Sequence, residues 1–277
     1  MTYGALYLCA TPIGNLQDIT LRVLETLKTV DLIACEDTRK TLQLLNHFSI
    51  SKPVTSYYEH NKMTKGDVIL QQLKDGKNIA LVSDAGMPGI SDPGYDLIQQ
   101  CLAEQIPFTV LPGAVAAITG LVLSGLPTNR FAFEGFVPRI KKERVQFFQN
   151  LLTEERTMIF YESPHRLKDT LETMQQVFPE RTMAAARELT KKFEEIVRGT
   201  PAEVLQHFET EGIRGEFVLL LHGAEPIQPE ERDLNWAVAR TAQLEQDGIS
   251  QKDAIKQAAK EAGLSKRDVY NFIVQNK

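Results

Sequence analysis

Apolar residues in the first half of the chain come in short continuous runs. Each run gives way to a polar or glycine-bearing stretch and then to apolar positions three and four apart. The runs at 4–9, 31–35, 54–57, 79–82 and 109–111 are short and apolar and predict strands. Between them, Leu21, Val23, Leu24 and Leu27 mark an amphipathic helix that Thr20 can cap. Leu42, Leu44, Leu45 and Phe48 mark a second helix, and residues 65–74 a third. After the fourth run Tyr95, Leu97, Ile98 and Leu102 continue at helical spacing, with Asp92 as N-cap and Pro93 as first helical residue. Residues 114–124 are apolar nearly all round, which predicts a buried helix. Such alternation means an α/β domain with a largely parallel sheet, in which ligands sit beyond the carboxyl ends of the strands.

Near residues 126–129 the pattern changes. Residues 131–136, 157–161, 181–187, 195–198 and 217–221 read as five strands with helices at 142–152, 164–177 and 201–208, which predicts a mixed α+β second domain. Residues 224–232, with two prolines, read as a linker. From Asp233 onward there are three helix patterns. Ser250 with Asp253 and Ser265 with Asp268 repeat a near-capping box, and a turn at 263–264 gives a helix–turn–helix-like tail. The expected organisation is therefore an N-terminal α/β domain (1–126), a second α/β domain completing a cleft (127–223), the linker (224–232) and a C-terminal helical segment (233–277).

Composition narrows the function classes. A net charge of −5 argues against a generic nucleic-acid coat, although local basic patches exist at Arg139, Lys141, Lys142 and Arg144 and at Lys191 with Lys192. From Ser250 onward six basic residues stand against three acidic ones. Cys9, Cys35 and Cys101 are far apart, and Cys9 and Cys35 fall in apolar runs, which predicts buried reduced thiols. The histidines His47, His60, His165, His207 and His222 lack metal-ligand spacing, so metal catalysis is not expected. The most apolar run, 114–126, is too short to span a bilayer, and no basic-plus-apolar leader precedes the first strand, so the expectation is a cytoplasmic protein.

Candidate chemistry gathers in the loops that leave strand ends. The stretch ALVSDAGMPGISDPG at 80–94 runs from strand into a loop with three glycines and two prolines. Its glycines let backbone approach a ligand, and Asp84 can accept from an amine or hydroxyl, while neither a G-x-G-x-x-G nor a G-K-[ST] is present. The loops after the first two runs, 10–15 and 36–39, and Pro112-Gly113-Ala114 share that rim. Tyr161-Glu162-Ser163-Pro164-His165-Arg166 leaves a strand and opens a helix, which puts two cations in a first turn where the helix dipole disfavours them. Either a neighbouring carboxylate or a substrate phosphate would compensate. The connection 186–195 carries many charges and reads either as a solvated hairpin or as part of a site.

Seven segments in order, TPIGNLQDIT, CEDTR, SDAGMPGISDPG, VLPGA, FEGFVP, YESPHR and RELTKKFEE, resemble the tetrapyrrole methylase superfamily, and most closely its ribosomal RNA branch. The resemblance spans 5–223 and extends to the tail. It implies S-adenosylmethionine bound in a cleft between two α/β domains, a homodimer, and methyl transfer to the 2′-oxygen of a cytidine in the decoding region of 16S ribosomal RNA, as RNA or assembled small subunit. On matching positions it implies that Pro12, Ile13 and Gly14 border the cofactor. Asp84, Ala85, Met87 and Ile90 form the main cradle, Val115 and Ala116 flank the adenosine, and Tyr161 reaches in from the second domain. Val115 stands where relatives often have Ser or Cys, and Met87 where Thr is common. The candidates for the positioned base are Glu36, Asp37, Glu162 and Lys191. Arg39, His165, Arg166 and Lys192 are candidates to hold phosphates, and Arg139, Lys141, Lys142 and Arg144 to grip the surrounding RNA. Two other readings stay open: a methylase of a tetrapyrrole or a protein, and a non-catalytic nucleic-acid-binding regulator using the tail.

Overall fold

A computed structural model describes residues 3–59, 62–225 and 232–275. Met1–Ala224 and Glu225–Lys277 form two compact units. In the first unit β1 (Leu6–Cys9), α1 (Leu21–Thr29), β2 (Leu32–Cys35), α2 (Thr38–His47), β3 (Val54–Ser56), α3 (Lys62–Lys74), β4 (Ile79–Val82), α4 (Tyr95–Ala103) and β5 (Phe108–Leu111) follow one another. The strands make an all-parallel sheet in the order β3-β2-β4-β1-β5. Its alternate residues explain the continuous apolar runs. Leu6, Leu8, Ile79 and Leu81 share one buried cluster with Ile69, Leu73 and Leu97 of α3 and α4. Cys9, Ile33, Cys35, Ala80 and Val82 share another with Val23 and Leu27 of α1 and Leu45 of α2. Both faces are covered, as a parallel sheet requires. Thr20 caps α1 by accepting from the Val23 N–H.

The chain continues through α5 (Ala116–Ser124), β6 (Phe131–Phe136), α6 (Lys141–Asn150), β7 (Thr157–Glu162), α7 (Leu167–Val177), β8 (Met183–Arg187), β9 (Glu195–Gly199), α8 (Pro201–Glu211) and β10 (Phe217–Leu221). The second sheet runs β6-β7-β10-β8-β9, with β6 and β7 parallel and the remaining pairs antiparallel. One face buries Phe148, Phe160, Met174 and Phe208 beneath α6, α7 and α8. The other presents Ile159, Ala184, Ala186, Val218 and Leu220 to α5. Contact there is close: a Cβ on Gly120 would lie 3.1 Å from Val218 Cγ1. The apolar helix expected at 114–124 is thus packed on the second sheet.

Two helix starts differ from expectation. α4 begins at Tyr95 after Gly94, not at Pro93, and Asp92 does not cap it. α7 begins at Leu167, because Pro164, His165 and Arg166 form a turn in which the Arg166 and Leu167 N–H groups both donate to the Ser163 carbonyl. In the second unit α9 (Leu234–Gln246), α10 (Gln251–Ala262) and α11 (Lys266–Gln275) pack around Ala237, Ile255, Ala259 and Val269. Ser250 caps α10 as expected. Most of the expected linker, 226–231, lies outside the described residues, as does His60.

Candidate active site

Three loops from the carboxyl ends of parallel strands meet at Gly86. The Thr11 N–H and C=O pair with the C=O and N–H of Gly86 at 2.9 and 3.0 Å. The Ser83 hydroxyl donates to the Gly86 carbonyl at 3.0 Å. Gly86 has φ +84°, and a Cβ there would lie 3.3 Å from Ile13 Cγ2 and 3.5 Å from the Ala114 carbonyl oxygen. Only glycine fits that conformation without strain. Beside this junction lies a cavity of about 440 Å³, within the range of small-molecule sites. Ile13, Asp84, Ala85, Met87, Ile90, Val115 and Ala116 line it from the parallel sheet, and Tyr161 from the mixed sheet. Pro12 and Gly14 lie outside the lining. Pro12 is half-buried, and Gly14 faces the stem of Lys191, where a Cβ would lie 2.5 Å from Lys191 Cγ.

Val115 is the N-cap of α5 and has no side chain able to accept the orphan N–H groups there. Tyr161 supplies the acceptor: its hydroxyl takes the Ala117 N–H at 3.1 Å and ties β7 to the start of α5. Burial raises the tyrosine pKa above its ordinary value, so the hydroxyl keeps its own proton to donate. Two further rings stand edge-on to Tyr161, Phe133 and the cavity-lining Phe136.

The lining carries Asp84, Asp92, Glu188 and Glu216 against Lys40 and Lys191, with Glu162 neutralised by Arg166. Asp84 accepts the Asp37 N–H at 3.1 Å through one oxygen and Lys40 Nζ at 2.7 Å through the other. That hydrogen bond raises the Lys40 pKa. Burial raises the pKa of Asp92, opposed by Ser83 and reinforced by Asp84. Glu36, half-buried behind the lining, is pushed up by burial and then by Asp84 and Asp92. Burial alone would lower Lys191, but Glu188 at 2.8 Å and Glu216 at 3.2 Å outweigh it and hold the ammonium charged. The loop bearing Lys191 is no solvated hairpin: Leu189 is buried, and Glu188 and Thr190 sit at φ 52° and 65° without being glycine. Strain of that kind persists where the surroundings over-determine it.

Several expected site residues have partners of their own. Asp37 caps α2 and binds Arg39 through both oxygens, and the Arg39 hydrogen bond lowers its pKa to about 2. The two form an ion pair at the surface, with the Arg39 side chain 87% exposed. The Glu162 carboxylate is fully buried and holds Arg166 at 2.6 Å, the Thr170 hydroxyl at 2.7 Å and the Ser163 N–H at 2.8 Å. Arg166 also donates to the Val137 carbonyl, and Glu162 supplies it with a compensating carboxylate. Arg144 is buried and donates to Thr173 Oγ1 and the Arg139 carbonyl. Arg139, Lys141, Lys142, His165 and Lys192 are exposed. Sequence reasoning did not single out Lys40, Phe136, Glu188 or Glu216 as cavity residues, and took Asp92 for a cap. Among the described residues there is no His/Cys/Asp/Glu group fit to hold a metal ion, and no helix long and apolar enough to cross a membrane.

The fold is one that known proteins share. Residues 5–205 match the family of Tetrapyrrole (Corrin/Porphyrin) Methylases. The ribosomal RNA small subunit methyltransferase I of Halalkalibacterium halodurans is 49% identical over 277 residues, covering 98% of this chain and 95% of that protein. Its namesake in Bacillus subtilis is 45% identical over 272 residues, covering 97% and 93%. Among solved structures, a uroporphyrin-III C-methyl transferase from Thermus thermophilus, complexed with S-adenyl homocysteine, has a TM-score of 0.54. It is 17% identical and covers 78% of this chain and 97% of that one, a likeness of fold. The chain belongs to the tetrapyrrole methylase family, in the branch of the ribosomal RNA small subunit methyltransferases I.

Proposed function

We propose that this chain binds S-adenosylmethionine in the cavity and methylates the 2′-oxygen of a cytidine in the 16S RNA of the small ribosomal subunit. The observation that carries the reading is a cavity walled by backbone and by an excess of carboxylates, in a chain 45–49% identical to proteins named ribosomal RNA small subunit methyltransferase I. When bound, the cofactor supplies an electrophilic methyl group on a sulfonium centre. Ile13, Val115 and Ala116 offer its adenosine an apolar wall, and Gly86 lets the backbone of 84–87 come close. Besides the Arg166-paired Glu162, four lining carboxylates against two ammonium groups favour a cationic ligand and keep RNA phosphates out of the interior. The phosphates fall instead to the exposed Arg139, Lys141, Lys142, His165 and Lys192.

Holding acceptor oxygen and methyl in line is the main catalytic task. Asp92 is a lining carboxylate whose pKa burial raises, which suits it to accept the hydroxyl proton. Glu36 adds negative field behind it. Lys191 stays protonated and holds the lining carboxylates of Glu188 and Glu216. The chain acts as a cytoplasmic homodimer, which light scattering of the purified protein tests. For the activity itself, the full chain is incubated with methyl-labelled S-adenosylmethionine and small subunits from cells lacking the modification. Label at one cytidine, with the following bond resistant to alkali because its ribose can no longer attack, supports the reading. Label on a protein or tetrapyrrole, or none on the RNA, contradicts it.

A further inference from the structure

We infer that Phe136 is the platform on which the base of the acceptor nucleotide stacks, an assignment that rests on the RNA reading above. Phe133 and Phe136 are three positions apart, and in an unbroken strand side chains an odd number apart point to opposite faces. β6 is interrupted. Phe133 pairs with Ile159 and Gly135 with Phe160, so Glu134 is an extra residue, and Gly135 takes φ +72°. The bulge returns Phe136 to the face of Phe133. Both rings then meet Tyr161 edge-on, with centroids 4.9 and 5.6 Å away. Tyr161 is itself fixed by the Ala117 N–H, so Phe136 rests on a ring that cannot turn away.

Despite this placement Phe136 is 56% exposed while lining the cavity. A bulge that aims a large ring into a water-accessible site does not serve the core. A base drawn out of RNA needs a flat apolar face, and aromatic side chains supply it in single-strand recognition. Cations to meet the flanking phosphates follow close in the chain: Arg139 is three residues on, within about 11 Å of chain reach, and Lys141 and Lys142 come next, all exposed. The acidic interior beyond the ring admits the uncharged nucleoside and not its phosphates.

The test uses the full chain with Phe136→Ala, Phe136→Leu, Phe136→Tyr and Phe136→Trp. Rates are measured on unmodified small subunits, and S-adenosylmethionine affinity by calorimetry. The Ala and Leu variants are expected to lose about tenfold or more in kcat/KM for the RNA, while Tyr and Trp stay within about threefold. All four are expected to bind the cofactor as the parent does. A Leu variant as active as the parent overturns the platform, since bulk without a π face then suffices. Lost cofactor affinity overturns it too, by making the ring a wall of the cofactor site. A parent that methylates no RNA overturns the functional reading and the platform together, whereas an active parent with an unaffected Ala variant overturns the platform alone.

Discussion

On the parallel-sheet side the cavity is walled by loops whose backbone and glycine geometry do the positioning. On the mixed-sheet side it is walled by the side chains Phe136, Tyr161, Glu188 and Lys191, held by a bulge, a helix end and two ion pairs. A backbone wall tolerates changes of side chain but not an added Cβ. A side-chain wall fails when one partner of a pair is removed. The two sides therefore break in different ways.

The largest effect is expected beneath the mixed-sheet wall. Glu162→Ala strips the mostly buried Arg166 of its carboxylate, and the cost is about 3 kcal/mol of stability, read from urea unfolding. Unchanged stability with methyl transfer abolished would instead return Glu162 to the role of base.

Asp92→Asn comes next, acting on rate and not on folding. Its kcat is expected to fall about a hundredfold. The folded-state pKa of Asp92 is raised, so the stability it contributes is present at low pH and is lost as pH rises through that value. At neutral pH the carboxylate is therefore a strain, and the Asn variant should melt no lower than the parent. The acidic limb of the parent's pH–rate profile should lie above the ordinary aspartate range and vanish in the variant. An unchanged kcat moves the base elsewhere.

Gly135→Ala should have the smallest effect. Nothing lies within 4 Å of the added Cβ, so only the left-handed backbone is strained. The cost is about 1 kcal/mol, a drop of roughly 2–4 °C in Tm. A larger drop would mean that the bulge carries packing as well as aim.

The same contrast decides how much was legible in the sequence. Strands 31–35 and 79–82 were visible because burial on both faces leaves an unbroken apolar run, and the glycines of 86–94 announced the backbone wall. The start of α4 was misread because packing overrides capping there. A Cβ on Gly94 would lie 3.0 Å from Gly89 Cα, so the loop closes on itself and carries Asp92 into the cavity lining. Charge partners were the harder problem. Glu162 and Arg166 stand four apart, a spacing that could have been read as a pair, but Lys40 meets Asp84 across 44 positions and Arg144 meets Thr173 across 29. Phe136 was hidden for a third reason: one inserted residue reverses every face assignment after it, and in FAFEGF only Gly135 hints at the insertion.

The central claim is that the junction of rim loops at Gly86 forms one wall of an S-adenosylmethionine site, and calorimetric titration of that cofactor into the full chain and into Gly86→Val tests it most directly. Saturable binding at one site per chain is expected for the parent, weakened about tenfold or more in the variant, whose side chain strains the junction by at least 1–2 kcal/mol. No binding to the parent, or equal affinity in both proteins, would contradict it.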